Sequence, residues 1–176
     1  DSVQQAARED TSLAVRWFVG NLADLPLRDA AVDCILDVFS PVHYGEFGRV
    51  LRPGGIVVKV VPGARHDEQL RELASAHLRH TDYSNEQMVD QFARHFDVLD
   101  TRIVSQTFAM PPDDVRAFAH MTPLLFNVDI DALDLGQIHE LTVEAQVLVG
   151  RNRADSTCAQ QHGVAHVVAH EGEVEA

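Results

Sequence analysis

The feature that most constrains the fold is an apolar run at residues 56–61, Ile-Val-Val-Lys-Val-Val. A nearly continuous run of β-forming residues is typical of a strand covered on both faces, as in a parallel sheet. The segment Arg-Pro-Gly-Gly at residues 52–55 precedes it, after a predicted short helix at 44–51. Proline cannot continue a helix and glycine accepts the left-handed geometry that follows one. The stretch therefore predicts a helix that turns directly into a buried strand.

The remainder of the chain continues this alternation. Further strands are predicted at residues 15–21, 32–40, 96–110 and 139–151, and helices at 2–10, from 67, from 84 and at 111–121. Ser84 and Gln87 have the spacing of a capping box at the start of one of these helices. The order α-β-(α)-β-α-β-α-α-β-α-β predicts a doubly wound, Rossmann-like α/β sheet that is mostly parallel, with an antiparallel strand in the pair at one end.

Length and composition limit the possible function classes. A chain of 176 residues is long enough for one domain, which we place at residues 1–150. The segment 151–176 is rich in small and polar residues and is predicted to be a disordered tail. A net charge of −13 argues against broad non-specific binding to nucleic acid, so an RNA-binding role needs a local basic patch, a further segment or a second subunit. No apolar run reaches the roughly 18 residues that a membrane span needs. With two cysteines and no visible secretory signal at the start, we expect a reducing, cytoplasmic setting.

No metal site is predicted within the chain. Cys34 and Cys158 are too far apart for a metal pair and too few for a disulfide framework. His162, His166 and His170 recur every four residues, but Gly163 and the small residues around them argue against the stable helix that would align them.

Three segments in order resemble the second half of the class I S-adenosylmethionine-dependent methyltransferases. They are Asn-Leu-Ala-Asp-Leu-Pro-Leu at 21–27, Val-Asp-Cys-Ile at 32–35 and Arg-Val-Leu-Arg-Pro-Gly-Gly at 49–55. Three further turns are similar to those of the 23S ribosomal RNA guanine-N1 methyltransferases: Phe-Ser-Pro at 39–41, Pro-Gly-Ala-Arg-His at 62–66 and Met-Thr-Pro at 121–123. The resemblance covers roughly residues 1–150. It implies methyl transfer from S-adenosyl-L-methionine to N1 of a guanine in large-subunit ribosomal RNA, by a homodimer.

The resemblance also implies which residues bind the cofactor. Asn21 and Leu22 occupy the positions that touch the adenine ring, and His66 the position that lines the cofactor pocket. His66 also follows the carboxyl end of a predicted strand, the edge of an open α/β sheet at which ligands bind. The alternative readings are a plain strand end for the first two and a helix-capping histidine for the third.

Guanine N1 carries a proton that must leave during methyl transfer, so a base or a positioned acceptor is required. Candidates near strand ends are His66, Asp37 and Asp24. Phe39 is a candidate for stacking on a flipped guanine, and Arg65 for contacting an RNA phosphate. Core packing for Phe39, an ion pair for Asp37 and plain surface exposure for Arg65 remain open alternatives.

The resemblance also has departures. The related enzymes begin with a cysteine-rich zinc ribbon, a glycine-rich loop and an acidic residue for the ribose hydroxyls, none of which follows Asp1. We expect zinc to belong, if anywhere, to a preceding segment, and this chain to be most of a catalytic domain that binds the cofactor poorly by itself. Alternative functions are a small-molecule methyltransferase of the same superfamily, which the negative charge favours, and a non-catalytic relic that binds a partner.

Overall fold

Helices and strands alternate along most of the chain in the computed structural model, which describes residues 2–12, 14–77 and 84–153. The helices are α1 (Ser2–Glu9), α2 (Tyr44–Val50), α3 (Glu68–Leu73), α4 (Glu86–His95) and α5 (Pro112–Met121). The strands are β1 (Val32–Val38), β2 (Leu51–Pro62), β3 (Phe96–Ala109) and β4 (Glu140–Asn152). Three short 3-10 helices lie between α5 and β4, at Pro123–Leu125, Ile130–Ala132 and Leu135–Gln137.

The four strands form one sheet in the order β1-β2-β4-β3. Ala31 donates a backbone hydrogen bond to Val50 before the two strands begin, and Asp37 pairs with Lys59 further along both. Contacts that advance together in this way show that β1 and β2 are parallel, as their connection through α2 requires.

The last strand in the chain runs in the opposite direction. The Asn152 side chain donates to the carbonyl of Leu51 at the start of β2, whereas the Glu144 carbonyl accepts from Gly63, just after β2 ends. β4 is thus antiparallel to β2, and it lies between β2 and β3. The predicted doubly wound sheet, with an antiparallel strand in its terminal pair, is confirmed.

The chain divides into two compact units, and the division cuts β2, β3 and β4. The first unit comprises residues 1–59, 90–100 and 148–176. Its core is aromatic: Tyr44 meets Phe92 and Phe96 edge to face, with ring centroids 5.9 Å apart in both pairs. The rings fill the space beside Gly150, where an added Cβ would lie 2.6 Å from the Phe92 ring. A side chain at position 150 would therefore displace this cluster.

The second unit comprises residues 60–89 and 101–147. Its core is aliphatic and joins α3, α5, the 3-10 helices and the start of β4. The apolar positions at helical spacing in α3 and α5 face this core, as their periodicity predicts. The buried members are Leu70, Ala74, Val115, Ala119, Leu125, Leu135, Ile138 and Leu141.

Several sequence predictions need correction. No strand forms at residues 15–20, and Asn21 makes only an isolated bridge with Asp24. A strand needs a neighbour that satisfies its backbone groups, and none of the described strands pairs with this segment. β2 begins at Leu51, so Arg-Pro-Gly-Gly lies inside the strand rather than before it, although Gly54 has the expected positive φ of 77°. Ser84 bonds to the amide of Glu86, not to that of Gln87 as a capping box would.

Some predictions fall on residues outside the described ranges. These are the tail from residue 154 onward, with Cys158 and the three spaced histidines, and the part of the predicted helix beyond residue 77. Within the described residues that helix ends at Leu73. No described helix is both long and apolar enough to span a membrane, and no group of three or more His, Cys, Asp or Glu residues there is arranged to hold a metal ion.

Candidate functional site

The turn after β2, residues 62–67, is held against β4, where Thr142 accepts from the Asp67 amide and Glu144 makes two further hydrogen bonds. The Glu144 carbonyl accepts a hydrogen bond from the Gly63 amide at 2.8 Å, and its side-chain Oε1 accepts from the Arg65 amide at 3.0 Å. A Cβ on Gly63 would lie 2.6 Å from the Glu144 side chain, so the glycine allows this close approach. Glu144 is itself buried. The turn is therefore fixed by hydrogen bonds that its backbone amides donate to β4.

The same turn brings together two of the segments that the sequence singled out. The hydroxyl of Thr122, in Met-Thr-Pro, donates to Asp67 Oδ2 at 3.1 Å, immediately after Pro-Gly-Ala-Arg-His. His66 Nε2 lies 3.5 Å from Asp67 Oδ1, and the His66 carbonyl accepts from the Arg71 guanidinium at 3.0 Å. The imidazole of His66 thus faces a buried carboxylate, and the backbone of the same residue is fixed by Arg71.

Asp67 is the buried acid of this group and has a left-handed backbone, with φ of 54°. Burial raises the pKa of its carboxyl group, while the charge of His66, the hydroxyl of Thr122 and the charge of Arg71 oppose that rise. Because all three opposing groups favour the carboxylate, any change that removes one of them raises the pKa of Asp67 further.

Arg65 extends from the turn toward solvent. Its side chain is 59% exposed and makes a two-pronged ion pair with Glu68, one helical turn away, at 2.9 and 2.7 Å. The Glu68 carboxylate raises the pKa of Arg65, which stays cationic. A phosphate contact by Arg65 would have to compete with this surface pair.

The turn after β1, residues 39–41, belongs to the first unit. Its anchor is a buried ion pair: Lys59 Nζ lies 2.9 Å from Asp37 Oδ2, and both side chains are 3% exposed. Lys59 donates its hydrogen bond to the Ser40 carbonyl, and the Ser40 hydroxyl donates to Asp37 Oδ1. Both carboxylate oxygens of Asp37 are therefore already in contact, one with Lys59 and the other with Ser40. Phe39, between these anchors, is 46% exposed and has a left-handed backbone, with φ of 50°.

The buried ion pair affects the ionisation of the nearby Tyr44. Burial, and secondly the Asp37 carboxylate, raise the pKa of Tyr44 to about 12. Its hydroxyl has no hydrogen-bond partner within the described part of the chain. The tyrosine thus serves the aromatic core as a neutral ring, and the negative charge beside it is balanced by Lys59.

Asn21 and Leu22 lie in a loop of the first unit. Asn21 is exposed, and its side-chain oxygen accepts from the Ala23 amide at 2.9 Å in a tight turn. Its side-chain NH₂ donates to none of the described residues, and Leu22 is half-buried beside it. An exposed primary amide next to an apolar side chain fits the edge and face of an adenine ring, so these residues are compatible with holding that part of S-adenosylmethionine. Asp24 is exposed in the same loop.

Two residues of α2 fix this loop, and the sequence prediction did not identify them. Glu46 accepts from the Leu25 amide at 2.7 Å, and Arg49 donates to the carbonyls of Leu25 and Leu27 at 3.2 and 2.9 Å. The hydrogen bond from Arg49 chiefly, with that from Leu25, lowers the pKa of Glu46 to about 2. The only sequence signal was an acid and a base three residues apart in a short helix.

The candidate residues are thus distributed over both units. Asn21, Leu22, Asp37 and Phe39 belong to the first unit, whereas Arg65 and His66 belong to the second. Within the first unit the structure joins Asp37 to the turn that carries Phe39. Within the second it joins the His66 turn to Met-Thr-Pro.

Comparison with known structures identifies the fold. One similar structure was solved for the conversion of a disulfide bond into a thioacetal group during echinomycin biosynthesis. It aligns over 89% of this chain and 63% of its own, with a TM-score of 0.56 and 16% identity. The YcgJ protein of Bacillus subtilis aligns over 86% and 76%, with a TM-score of 0.52 and 20% identity. A chain from the complex between the Haloferax volcanii Trm112 methyltransferase activator and a putative methyltransferase aligns over 86% of this chain and 68% of its own. The TM-score is 0.50 and the identity is 20%.

Comparison of sequences is more specific, although no protein-family model matches the chain. The 23S rRNA (guanine(748)-N(1))-methyltransferase of Streptomyces fradiae is 33% identical over 132 residues, which is 72% of this chain and 47% of that enzyme. YxjB of Bacillus subtilis, named as a putative 23S rRNA (guanine-N(1)-)-methyltransferase, is 29% identical over 140 residues, which is 76% of this chain and 49% of that protein. The chain spans about half the length of these curated relatives.

The sheet order, its antiparallel β4 and these structural likenesses define a doubly wound, Rossmann-like α/β fold. Within that fold the chain is related to the 23S rRNA guanine-N1 methyltransferases, and the resemblance predicted from the sequence is confirmed.

Proposed function

We propose that the protein containing this chain transfers a methyl group from S-adenosyl-L-methionine to N1 of a guanine in 23S ribosomal RNA. The observation that carries the proposal is the 33% identity, over 132 residues, to an enzyme named for this reaction at guanine 748. The hydrogen bond between Thr122 and Asp67 supports it, because it joins two separate turns that carry the resemblance. The homodimer and the cytoplasmic location that the resemblance implies remain predictions.

The cofactor supplies a methyl group on a positive sulfur, a good leaving group, so the protein mainly binds, orients and excludes water. We assign Asn21 and Leu22 to the adenine ring, since their exposed amide and apolar side chain fit its edge and face. His66 is assigned to the cofactor as well, because it follows the carboxyl end of β2, on a turn that Glu144 holds rigid.

The N1 proton of guanine needs an acceptor, and the contacts favour His66 over Asp37. Asp37 is 3% exposed and already accepts from Ser40 while pairing with Lys59. His66 is 16% exposed and faces the carboxylate of Asp67, which stabilises the imidazolium formed when the proton arrives. Phe39, exposed on its turn, is assigned to stacking on the flipped guanine, and Arg65 to an RNA phosphate.

The test uses the full-length protein, purified S-adenosylmethionine and unmodified 23S rRNA fragments. A methyl group on N1 blocks the base-pairing edge of guanine, so reverse transcription stops at the modified nucleotide. We expect a stop at one guanine with the wild-type protein, and loss of most of this activity in His66→Ala. His77→Ala, which changes an exposed histidine of the same unit, serves as the matched control and should retain activity.

Two outcomes would contradict the proposal. Wild-type protein that binds the cofactor but leaves every rRNA guanine unmodified, while methylating a small acceptor, would favour the small-molecule alternative. Wild-type protein that binds no S-adenosylhomocysteine in calorimetry would favour a partner-binding relic. Equal loss of activity in His66→Ala and His77→Ala would refute the specific assignment to His66.

A further inference from the structure

We propose that Lys59 and Asp37 are positioning residues for RNA binding: their buried ion pair holds the turn at residues 39–41 so that the Phe39 ring is presented to a nucleobase. The inference rests on the proposed function for the identity of the base. It adds two residues that the resemblance assigns to no such task, and it changes Asp37 from a candidate proton acceptor into part of the support for Phe39.

The first argument is the position of Lys59 in an otherwise apolar strand. β2 alternates between buried and half-buried residues, and Lys59 stands at a buried position where the strand's neighbours are valines. Burying an ammonium group is costly unless it is paired and hydrogen-bonded. Lys59 satisfies both conditions through Asp37 and the Ser40 carbonyl. An apolar residue would fill the strand equally well, so the lysine indicates a task besides core packing.

The second argument is that all the contacts of the pair converge on one turn. Asp37 pairs with Lys59 through one carboxylate oxygen and accepts from the Ser40 hydroxyl through the other. Lys59 donates to the carbonyl of the same serine. Ser40 is therefore held at both its backbone and its side chain, which fixes the residue that follows Phe39.

The third argument is the backbone of Phe39. Its φ of 50° lies in the left-handed region, which a bulky residue other than glycine rarely adopts and which persists only when the surroundings enforce it. The ring is 46% exposed, so core packing alone does not account for this conformation. The pair and Ser40 supply the constraint. A ring fixed in advance loses less conformational entropy when a base stacks on it.

The test replaces both charges together, since removing one would leave the other buried and unpaired. Asp37→Leu with Lys59→Met removes the contacts to Ser40 while keeping an apolar interior, and Asp37→Asn with Lys59→Met is the alternative if the first pair fails to fold. The matched control is Asp33→Leu with Arg52→Met, an ion pair that joins the same two strands near their other end. All variants are made in the full-length protein and compared by thermal unfolding first.

Methylation of an rRNA fragment then gives KM and kcat. We expect KM for the RNA to rise by about tenfold in the Asp37/Lys59 variant, with kcat changed by less than about threefold, because base stacking contributes to RNA binding. The Asp33/Arg52 control should keep both values. Adding Phe39→Ala to the Asp37/Lys59 variant should raise KM no further, since the two changes remove the same interaction. A folded variant with wild-type KM, or effects that multiply with those of Phe39→Ala, would overturn the inference.

Hydrogen exchange separates this inference from the proposed function. Exchange in peptides covering residues 37–43 should become faster in the Asp37/Lys59 variant and remain unchanged in the Asp33/Arg52 control, whether or not the protein methylates RNA. Unchanged exchange in that segment would refute the positioning role. An inactive wild-type protein whose variant shows the faster exchange would refute the proposed reaction and leave the support of the turn established.

Discussion

Replacing Gly63 with alanine tests whether the close approach of Glu144 fixes the turn after β2. Gly63 has no positive φ, so alanine could adopt its backbone, and only the space for a side chain is lacking. The new Cβ would lie 2.6 Å from both Cγ and Oε1 of Glu144, where ordinary contacts are 3.4–4 Å. If Glu144 moves away, its oxygen loses the hydrogen bond from the Arg65 amide.

The expected cost combines these two effects. Overpacking in a closely packed site costs about 1–3 kcal/mol, and breaking a hydrogen bond to a buried charged group adds about 1–2 kcal/mol. We therefore expect Gly63→Ala to lower the free energy of unfolding by about 2–5 kcal/mol. Urea denaturation at neutral pH, followed by circular dichroism, measures this change.

The double variant provides the control. Glu144→Ala removes the side chain that the new methyl group would strike, so Gly63→Ala should cost less than about 1 kcal/mol in that background. Gly45 lies within α2, and a Cβ added there would be 3.7 Å from the nearest side-chain atom, so Gly45→Ala should leave the free energy of unfolding unchanged or raise it. Additive effects of the changes at positions 63 and 144 would show that the two residues do not meet as described, and the argument for a rigid turn would fail.

Three further predictions concern stability. Glu46 has a pKa lowered from 4.5 to about 2, so its contribution to the stability of the fold is complete above pH 4.5 and is lost as the pH falls toward 2. Glu46→Gln should flatten the pH dependence of the free energy of unfolding between these values. An unchanged pH profile would contradict the pairing of Glu46 with Arg49. Thr122→Val should lower the free energy of unfolding by about 1–3 kcal/mol in urea titrations, because Asp67 loses a donor, whereas Thr122→Ser should retain most of the stability. Arg153→Met should lower the free energy of unfolding by about 1–2 kcal/mol in thermal denaturation, because the guanidinium donates to two carbonyls at the end of α4 and to the carbonyl of the first residue of β3. An unchanged stability would show that solvent replaces these hydrogen bonds.

The sheet was largely predictable because its strands have strong local signals. β1, β3 and β4 lie within two residues of their predicted ends, and the proline pair and two acids mark the start of α5. Residues 15–20 show why pattern alone is insufficient: they are rich in β-forming residues but have no described neighbour to bond with. Pairing is a property of two segments, and the composition of one cannot supply it.

The site was only partly predictable. The turns that carry Phe39 and His66 could be found because each follows a strand end and contains distinctive residues. Their supports could not: Glu144 is one of two acids in β4, and nothing local indicates that it meets Gly63. Lys59 carried a local signal that the sequence predictions did not use, since a single charge within an apolar strand indicates a buried partner.

The dependence of the β2 turn on Glu144 has a consequence for biosynthesis. Arg65 and Glu144 are 79 residues apart in the chain, so the segment that carries His66 leaves the ribosome long before its support does. Until β4 is added, the edge of β2 has no partner on that side and is open to pairing with other chains. A product released before residue 144 would contain Pro-Gly-Ala-Arg-His complete in sequence but without its fixed geometry, and would be prone to aggregate.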